Sequence, residues 1–254
     1  MIEWRMENDI VFLLKTMKRT YLKDTLTKGR FCFSFPETFS SANSDQLRSA
    51  QIDEWDSRHF FRAEKIYCYP IIEESPDGIK YGSGFPLAER AILREISTAS
   101  KHTPFCCFRK ITKSDLIPRK NAFTFSLGDT VDRIKTEFGH DSFIIICEPN
   151  AFIKRILKLQ HCFGRSITYG ELDYDSTKEF ENAGFEQIKM FQKRIAYEWQ
   201  KEYRIIIEPT TETTNQILDI GSIEDIAFGG DIENLRKGYI FAYSAEDIKQ
   251  LNNH

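Results

Sequence analysis

The 254 residues are 41% hydrophobic and 13% aromatic, enough apolar material for one large core, so a single domain over 1–254 is expected. Charged residues make up 29% and nearly cancel to a formal net charge of -3, which excludes the global basic field that draws a protein to nucleic acid. Six irregularly spaced cysteines, apolar runs far too short to span a bilayer, and first residues without a charged-then-apolar leader predict a reducing, cytoplasmic setting with no membrane partner.

The first segment has two readings: a helix capped by Asn8 with Ile10, Leu13, Leu14, Met17 and Tyr21 at helical spacing, or a strand over 10–16 followed by a helix from Arg19. The unbroken run Val11 to Leu14 favours the strand, and Tyr21, Leu22 and Leu26 then form a compact helix that stops at Gly29. Over 30–35, Phe31, Phe33 and Phe35 alternate with Cys32 and Ser34, the period of a half-buried strand. Residues 38–64 are polar, with an acidic knot of Asp53, Glu54 and Asp56, and read as an exposed crossover before the apolar stretch 66–72. Pro76, Gly78, Gly82, Gly84 and Pro86 predict loop, and Leu87, Ala91, Ile92 and Ile96 predict a helix over 87–100.

A short strand is expected over 105–108, followed by Arg109, Lys110, Lys113, Arg119 and Lys120, a basic cluster expected to form a solvated loop face. Helix, strand and helix follow over 129–138, 142–147 and 149–161, the last with a basic face of Lys154, Arg155 and Lys158. The final third alternates again: strand 166–174, helix 177–191 broken by Gly184, apolar strand 203–207, and short apolar segments at 217–220 and 223–228. Unequal helices between hairpin-like strands predict an α+β fold, a mixed and mostly antiparallel sheet core with flanking helices.

Several chemistries lack their motifs. There is no C-x-x-C or H-x-x-x-H for zinc, no phosphate-binding G-x-x-x-x-G-K-[ST], no G-x-G-x-x-G and no G-x-S-x-G elbow, so no metal ligands are assigned. The adjacent Cys106 and Cys107 suit a strand with one thiol turned into the core. For a metal-dependent nuclease the sequence offers only Asp247 and Lys249, outside any apolar strand.

What remains is Tyr197-Glu198-Trp199-Gln200-Lys201-Glu202-Tyr203-Arg204. At strand period, Gln200, Glu202 and Arg204 share one face and Trp199, Lys201 and Tyr203 the other. Two readings are open: an exposed sheet face with a surface ion pair between Glu202 and Arg204 worth under about 1 kcal/mol, or a site.

Gln200-Lys201-Glu202 at a strand start resembles the Gln/Glu-x-Glu motif of ADP-ribosyltransferases, and Leu13 to Thr16, Tyr21 to Gly29 and Arg30-Phe31 resemble their first strand, helix and return strand. Gly29 to Pro36 together with Tyr197-x-x-Gln-Lys-Glu-Tyr-Arg-Ile also resembles a bacterial family of uncharacterised domains found among toxin and anti-phage genes. The resemblance implies an ADP-ribosyltransferase-like fold with NAD as substrate. It implies a toxin or phage-defence effector that transfers ADP-ribose to a macromolecule, nucleic acid or protein, or hydrolyses NAD, with an antitoxin or other defence protein as partner.

On that likeness Glu202 and Gln200 are the catalytic pair, Glu202 gripping a ribose hydroxyl and Gln200 orienting the acceptor. Lys15, Thr16, Tyr21, Ser34 and Arg204 form the cofactor-binding set. Related enzymes carry His or Arg on the first strand where this chain has Lys15-Thr16, and Tyr21 reads either as a nicotinamide platform or as core. Asp53 and Glu54 read either as cleft lining or as solvated loop. The alternatives from other classes are a noncatalytic binding or sensor module of a defence system, and then a metal-dependent nuclease.

Overall fold

A computed structural model describes residues 9–39, 59–63, 66–75, 78–88, 91–95, 102–174, 190–191, 193, 195–208, 210 and 215–242. In chain order these form β1 (Ile10–Met17), α1 (Arg19–Lys28), β2 (Arg30–Phe33), β3 (His59–Ala63), β4 (Ile66–Cys68), β5 (Ile71–Ser75), β6 (Gly78–Tyr81), β7 (Phe85–Ala88) and β8 (Ala91–Glu95). Then follow β9 (Phe105–Thr112), β10 (Ile117–Arg119), β11 (Ala122–Phe125), α2 (Thr130–Phe138), β12 (Ser142–Ile146), α3 (Pro149–Phe163) and β13 (Ile167–Glu171). The last are β14 (Glu202–Ile207), β15 (Gln216–Asp219), β16 (Ala227–Asp231), α4 (Glu233–Lys237) and β17 (Tyr239–Ala242).

The centre is a six-stranded sheet in the order β13-β14-β9-β1-β12-β16, every neighbouring pair antiparallel. Its strands have two buried faces, and side-chain alternation sorts them into two cores. Leu13, Cys106, Phe108, Ile144, Tyr203 and Ile205 face the layer built by α3 and β2, where Phe31, Phe108 and Phe152 meet with centroids 5.2–5.7 Å apart, Phe152 edge-on to the other two. Leu14, Ile111, Phe143 and Ile145 face the opposite layer, with Val131 and Ile134 of α2 and Leu235 of α4. β12 lies between β1 and β16 and is buried at every position, which is why it reads as an unbroken apolar run.

Gly29 ends α1 at φ 61, and a Cβ there would lie 2.1 Å from the Gly221 carbonyl oxygen. Only glycine meets both demands. The chain therefore turns directly from α1 into β2, whose Arg30 grips Asp219 of β15 through two hydrogen bonds of 3.0 Å.

The mixed, mostly antiparallel α+β architecture is as expected, and β1, α1 and β2 fall where the residue patterns put them. Two expectations are corrected. The span 76–86 contains β6 and the start of β7, and 87–95 contains the end of β7 and β8 where a helix was expected. β8 pairs with β3 from Ala63↔Ala91 to His59↔Glu95, and this cross-strand ladder overrides a helical spacing that is only a weak preference. The acidic knot, the segment 177–189 and Asp247 with Lys249 lie outside the described residues.

The basic cluster is a solvated face only in part: Lys113, Arg119 and Lys120 are exposed as expected, but Arg109 and Lys110 are not. Arg109 and Lys110 sit on β9, Arg109 donating to the Trp199 carbonyl and Lys110 paired with Glu171, while Lys113 pairs with Asp9 at 3.5 Å. No helix among the described residues is long and apolar enough to cross a membrane.

Candidate functional site

The site begins as a fork in the sheet. β1 pairs with β9 from Ile10↔Thr112 to Leu14↔Arg109 and no further, although β1 runs on to Met17 and β9 starts at Phe105. Phe105 instead exchanges two backbone hydrogen bonds of 2.9 and 3.0 Å with Ser34, just beyond β2. The Lys15 ammonium closes part of the gap: it donates to the Cys107 carbonyl at 2.9 Å and lies 5.2 Å from the centre of the Phe108 ring.

A cavity of about 350 Å³ occupies this fork. That is the size of a small-molecule site. Lys15, Thr16, Tyr21, Ser34, Gln200 and Glu202 all line it, so residues far apart in sequence share one space. Tyr21 is 62% exposed, so its ring is not part of the core. Cys106 and Cys107 both border the cavity, and burial pushes both thiols up, leaving them protonated at neutrality.

Gln200 and Glu202 reach the cavity by different routes. Gln200 ends a 3-10 stretch (Ile195–Gln200), whereas Glu202 opens β14, so the two do not share a strand face. Between them Lys201 takes φ 45, a left-handed conformation that costs an ordinary residue about 1–2 kcal/mol. The turn is held on three sides. Lys201 N–H donates to Glu198 O at 2.9 Å, its carbonyl accepts from Lys110 N–H at 2.9 Å, and its ammonium meets Asp115 Oδ1 at 2.5 Å. The result is that both side chains meet a single cation, the Lys193 ammonium, 2.9 Å from Gln200 Oε1 and 2.7 Å from Glu202 Oε1.

Of the two open readings, the exposed face with a surface ion pair is not what the structure shows. Arg204 is fully buried and Glu202 is 8% exposed, with Arg204 Nη2 donating to Glu202 Oε2 at 3.0 Å. Arg204 also donates to the Met190 carbonyl at 2.7 Å and lies over the Phe105 ring. It does not line the cavity; it stands behind the carboxylate and fixes it. Tyr174 Oη accepts the Glu202 backbone N–H at 2.8 Å, which fixes the start of β14 as well.

Burial alone would raise the Glu202 carboxyl, but the Lys193 and Arg204 charges beside it outweigh that and hold it down at about 2. Glu202 is the one carboxylate among the described residues of the cavity wall, facing Lys15, Lys18, Arg109 and Lys193. Arg109, Trp199 and Gln200, also in that wall, carry buried N–H groups with no hydrogen-bond partner among the described residues. Such a wall suits a ligand rich in acceptor oxygens and carrying negative charge.

Three residues of the site have no sequence motif. Lys193 joins it through backbone pairing of its segment with Asp173, Tyr174 through its phenol, and His140 through the turn after α2. His140 follows Gly139, whose φ of 67 ends the helix; its Nδ1 is 2.8 Å from Thr16 Oγ1 and its ring stacks on Phe138 at 5.6 Å. Among the described residues no group of three or more His, Cys, Asp or Glu is arranged to hold a metal ion.

Fold and site together define a mixed α+β protein with a cavity of apolar and charged side chains in a forked antiparallel sheet. The chain matches no protein-family profile, no curated protein and no solved structure.

Proposed function

We propose that the cavity binds NAD and that the chain is an ADP-ribosyltransferase-like effector, transferring ADP-ribose to a macromolecule or hydrolysing NAD, in a toxin or phage-defence setting. The observation that carries this reading is the ionised Glu202, buried at the wall of a cavity shared with Lys15, Thr16, Tyr21, Ser34 and Gln200. Breaking the nicotinamide-ribose bond develops positive charge on the sugar, and a fixed anion in a low-dielectric wall stabilises that charge more in the transition state than in the ground state. Lys193 and Arg204 hold the anion in place, so little reorganisation accompanies the reaction.

The other wall residues have work under this reading. Lys15, Lys18 and Arg109 supply the positive field that a dinucleotide's phosphates need, Thr16 and Ser34 offer hydroxyls to the riboses, and the exposed Tyr21 ring offers a stacking face. Gln200 sits within the reach of Lys193 beside Glu202, a position from which its amide orients an acceptor.

The test is incubation of the purified chain with labelled NAD and a cell extract, following label into protein, nucleic acid or free ADP-ribose. Label transfer or hydrolysis is expected, with Glu202→Gln lowering it about 10²–10³-fold, the usual cost of losing one preorganised electrostatic group. Wild-type protein that neither transfers nor hydrolyses would remove the reading.

One observation favours a noncatalytic binding module instead: both Glu202 oxygens are already held by cations. That reading expects NAD binding without turnover and a cellular effect indifferent to Glu202→Gln.

A further inference from the structure

Lys15, Lys18, Arg109 and Lys193 all line the described cavity wall, but they are not equivalent. Lys193 is neutralised by Glu202 at 2.7 Å, Lys18 is exposed just before α1, and the Lys15 ammonium turns to the Cys107 carbonyl. A lysine is a point charge with rotatable donors, so none of these three reads the shape of an anionic group. Arg109 carries a planar fork instead, and it stands where the cavity opens.

Sheet register places it there. Arg109 is the residue of β9 at which pairing with β1 stops, opposite Leu14, and on its other side it is paired with Glu202 of β14. Side chains directly opposed on one sheet face start about 5 Å apart, so Arg109 and Glu202 leave the sheet as neighbours. They nevertheless do not form an ion pair. Glu202 is held by Lys193 and Arg204, and Asp115, whose charge also acts on Arg109, is held by Lys201 and the Thr112 N–H. Burial is the largest influence on the Arg109 guanidinium and lowers it from its ordinary value.

The way the fork is held leaves one edge unused. Nη1 donates to the Trp199 carbonyl, while Nε–H has no hydrogen-bond partner and Nη2 makes no hydrogen bond among the described residues. Nε and Nη2 form the side-on edge of a guanidinium, which can take two oxygens of one carboxylate or phosphate. Arg30 of this chain shows that edge filled, its Nε and Nη2 each holding one oxygen of Asp219 at 3.0 Å. Arg109 has the same edge with no acid of the described chain to fill it. A largely buried cation without a counter-charge is costly, and an arriving anion offsets that cost.

We propose that the Nε–Nη2 edge of Arg109 binds a phosphate group of the ligand side-on and makes that group a requirement for recognition. The assignment rests on the NAD reading above, under which the group is the phosphate carried by the nicotinamide ribose. Glu202 and Arg109, as neighbours across two strands, then engage the two ends of that one sugar.

Calorimetric titration tests this with nicotinamide mononucleotide, nicotinamide riboside, which lacks only the phosphate, and inorganic pyrophosphate. All are measured at one ionic strength on wild-type, Arg109→Met and Arg109→Lys chains, because general charge attraction varies with salt. The wild-type chain should bind the mononucleotide about 10–100-fold more tightly than the riboside, the worth of hydrogen bonds to a charged group. Arg109→Met should abolish that preference while keeping the riboside affinity, whereas a damaged fold would weaken both ligands alike. Arg109→Lys keeps the charge without the fork and should lose most of the preference. Pyrophosphate should bind the wild-type chain and bind Arg109→Met at least 10-fold more weakly.

Equal wild-type affinity for the two nicotinamide ligands, or a preference that survives Arg109→Met, overturns the assignment and leaves the NAD reading standing. If neither nicotinamide ligand binds but pyrophosphate binds through Arg109, the NAD reading falls and the anion site stands. If nothing binds, both fall. Should Arg109→Met melt early because the Trp199 carbonyl loses its donor, Arg109→Lys decides: an undiminished preference there overturns the side-on fork.

Discussion

The Lys193 ammonium stands 2.7 Å from Glu202 Oε1 with both side chains almost sealed from solvent, 6% and 11% exposed. A pair buried to this degree gains its attraction against a large desolvation cost, so it is sensitive to loss of either partner and weak evidence for net stability. With Arg204 on the other oxygen, two cations share one carboxylate, and removing either cation leaves the second and the anion balanced one to one.

Arg204 is the better probe of that arrangement, because it is fully buried and does not touch the cavity. Arg204→Met should destabilise the fold by about 1–3 kcal/mol, because Glu202 keeps Lys193 but loses one charged donor and the Met190 carbonyl loses its own. Urea denaturation followed by tryptophan fluorescence measures it, and a change within error of zero would mean the guanidinium is not buried against Glu202.

Acid should reveal the same cluster. The folded Glu202 carboxyl sits at about 2, below its ordinary 4.5, so the unfolded chain takes up a proton first. Its contribution to stability is therefore complete above 4.5 and lost as the pH falls through about 2. The urea midpoint of the wild-type chain should drop over that window more steeply than that of Glu202→Gln; parallel curves would contradict the shift.

Lys201 carries a conformational cost at φ 45 between Gln200 and Glu202. Lys201→Gly removes that cost but also the ion pair with Asp115, so stability should change little. Lys201→Val should lower it by about 1–2 kcal/mol or more, since a β-branched residue is still less at home there. Thermal melts of the two variants give the comparison, and equal losses would mean the left-handed turn does not matter.

Lys15 spans the fork. Lys15→Met keeps most of the aliphatic stem but leaves the Cys107 carbonyl without its charged donor, a loss of about 1–3 kcal/mol. Under the NAD reading, affinity should fall as well, since the cavity loses one of its cations; calorimetric titration with NAD checks it.

Phe152 offers a control that does not itself line the cavity. Phe152 is completely buried between Phe31 and Phe108, and Phe152→Ala should cost about 3–5 kcal/mol while leaving ligand binding at the fork intact once the chain is folded. A loss much smaller than this would show that α3 does not pack as described.

Sequence by itself determined what rests on local pattern. The alternation of Phe31, Phe33 and Phe35, the apolar runs at 11–14 and 143–146 and the helix stop at Gly29 each specify an element without reference to the rest of the chain. The same patterns singled out Glu202 and Gln200 as polar groups beside a buried strand. Tertiary structure alone decided the rest. β8 became a strand because β3 pairs with it, Arg204 passed from a surface partner to a buried support because both faces of β14 are covered, and Lys193 and His140 entered the site through contacts with residues 9 and 124 positions away. Whether a charge is solvated or buried, and which side chains share a cavity, depends on what packs across from them, and strand period carries no information about that.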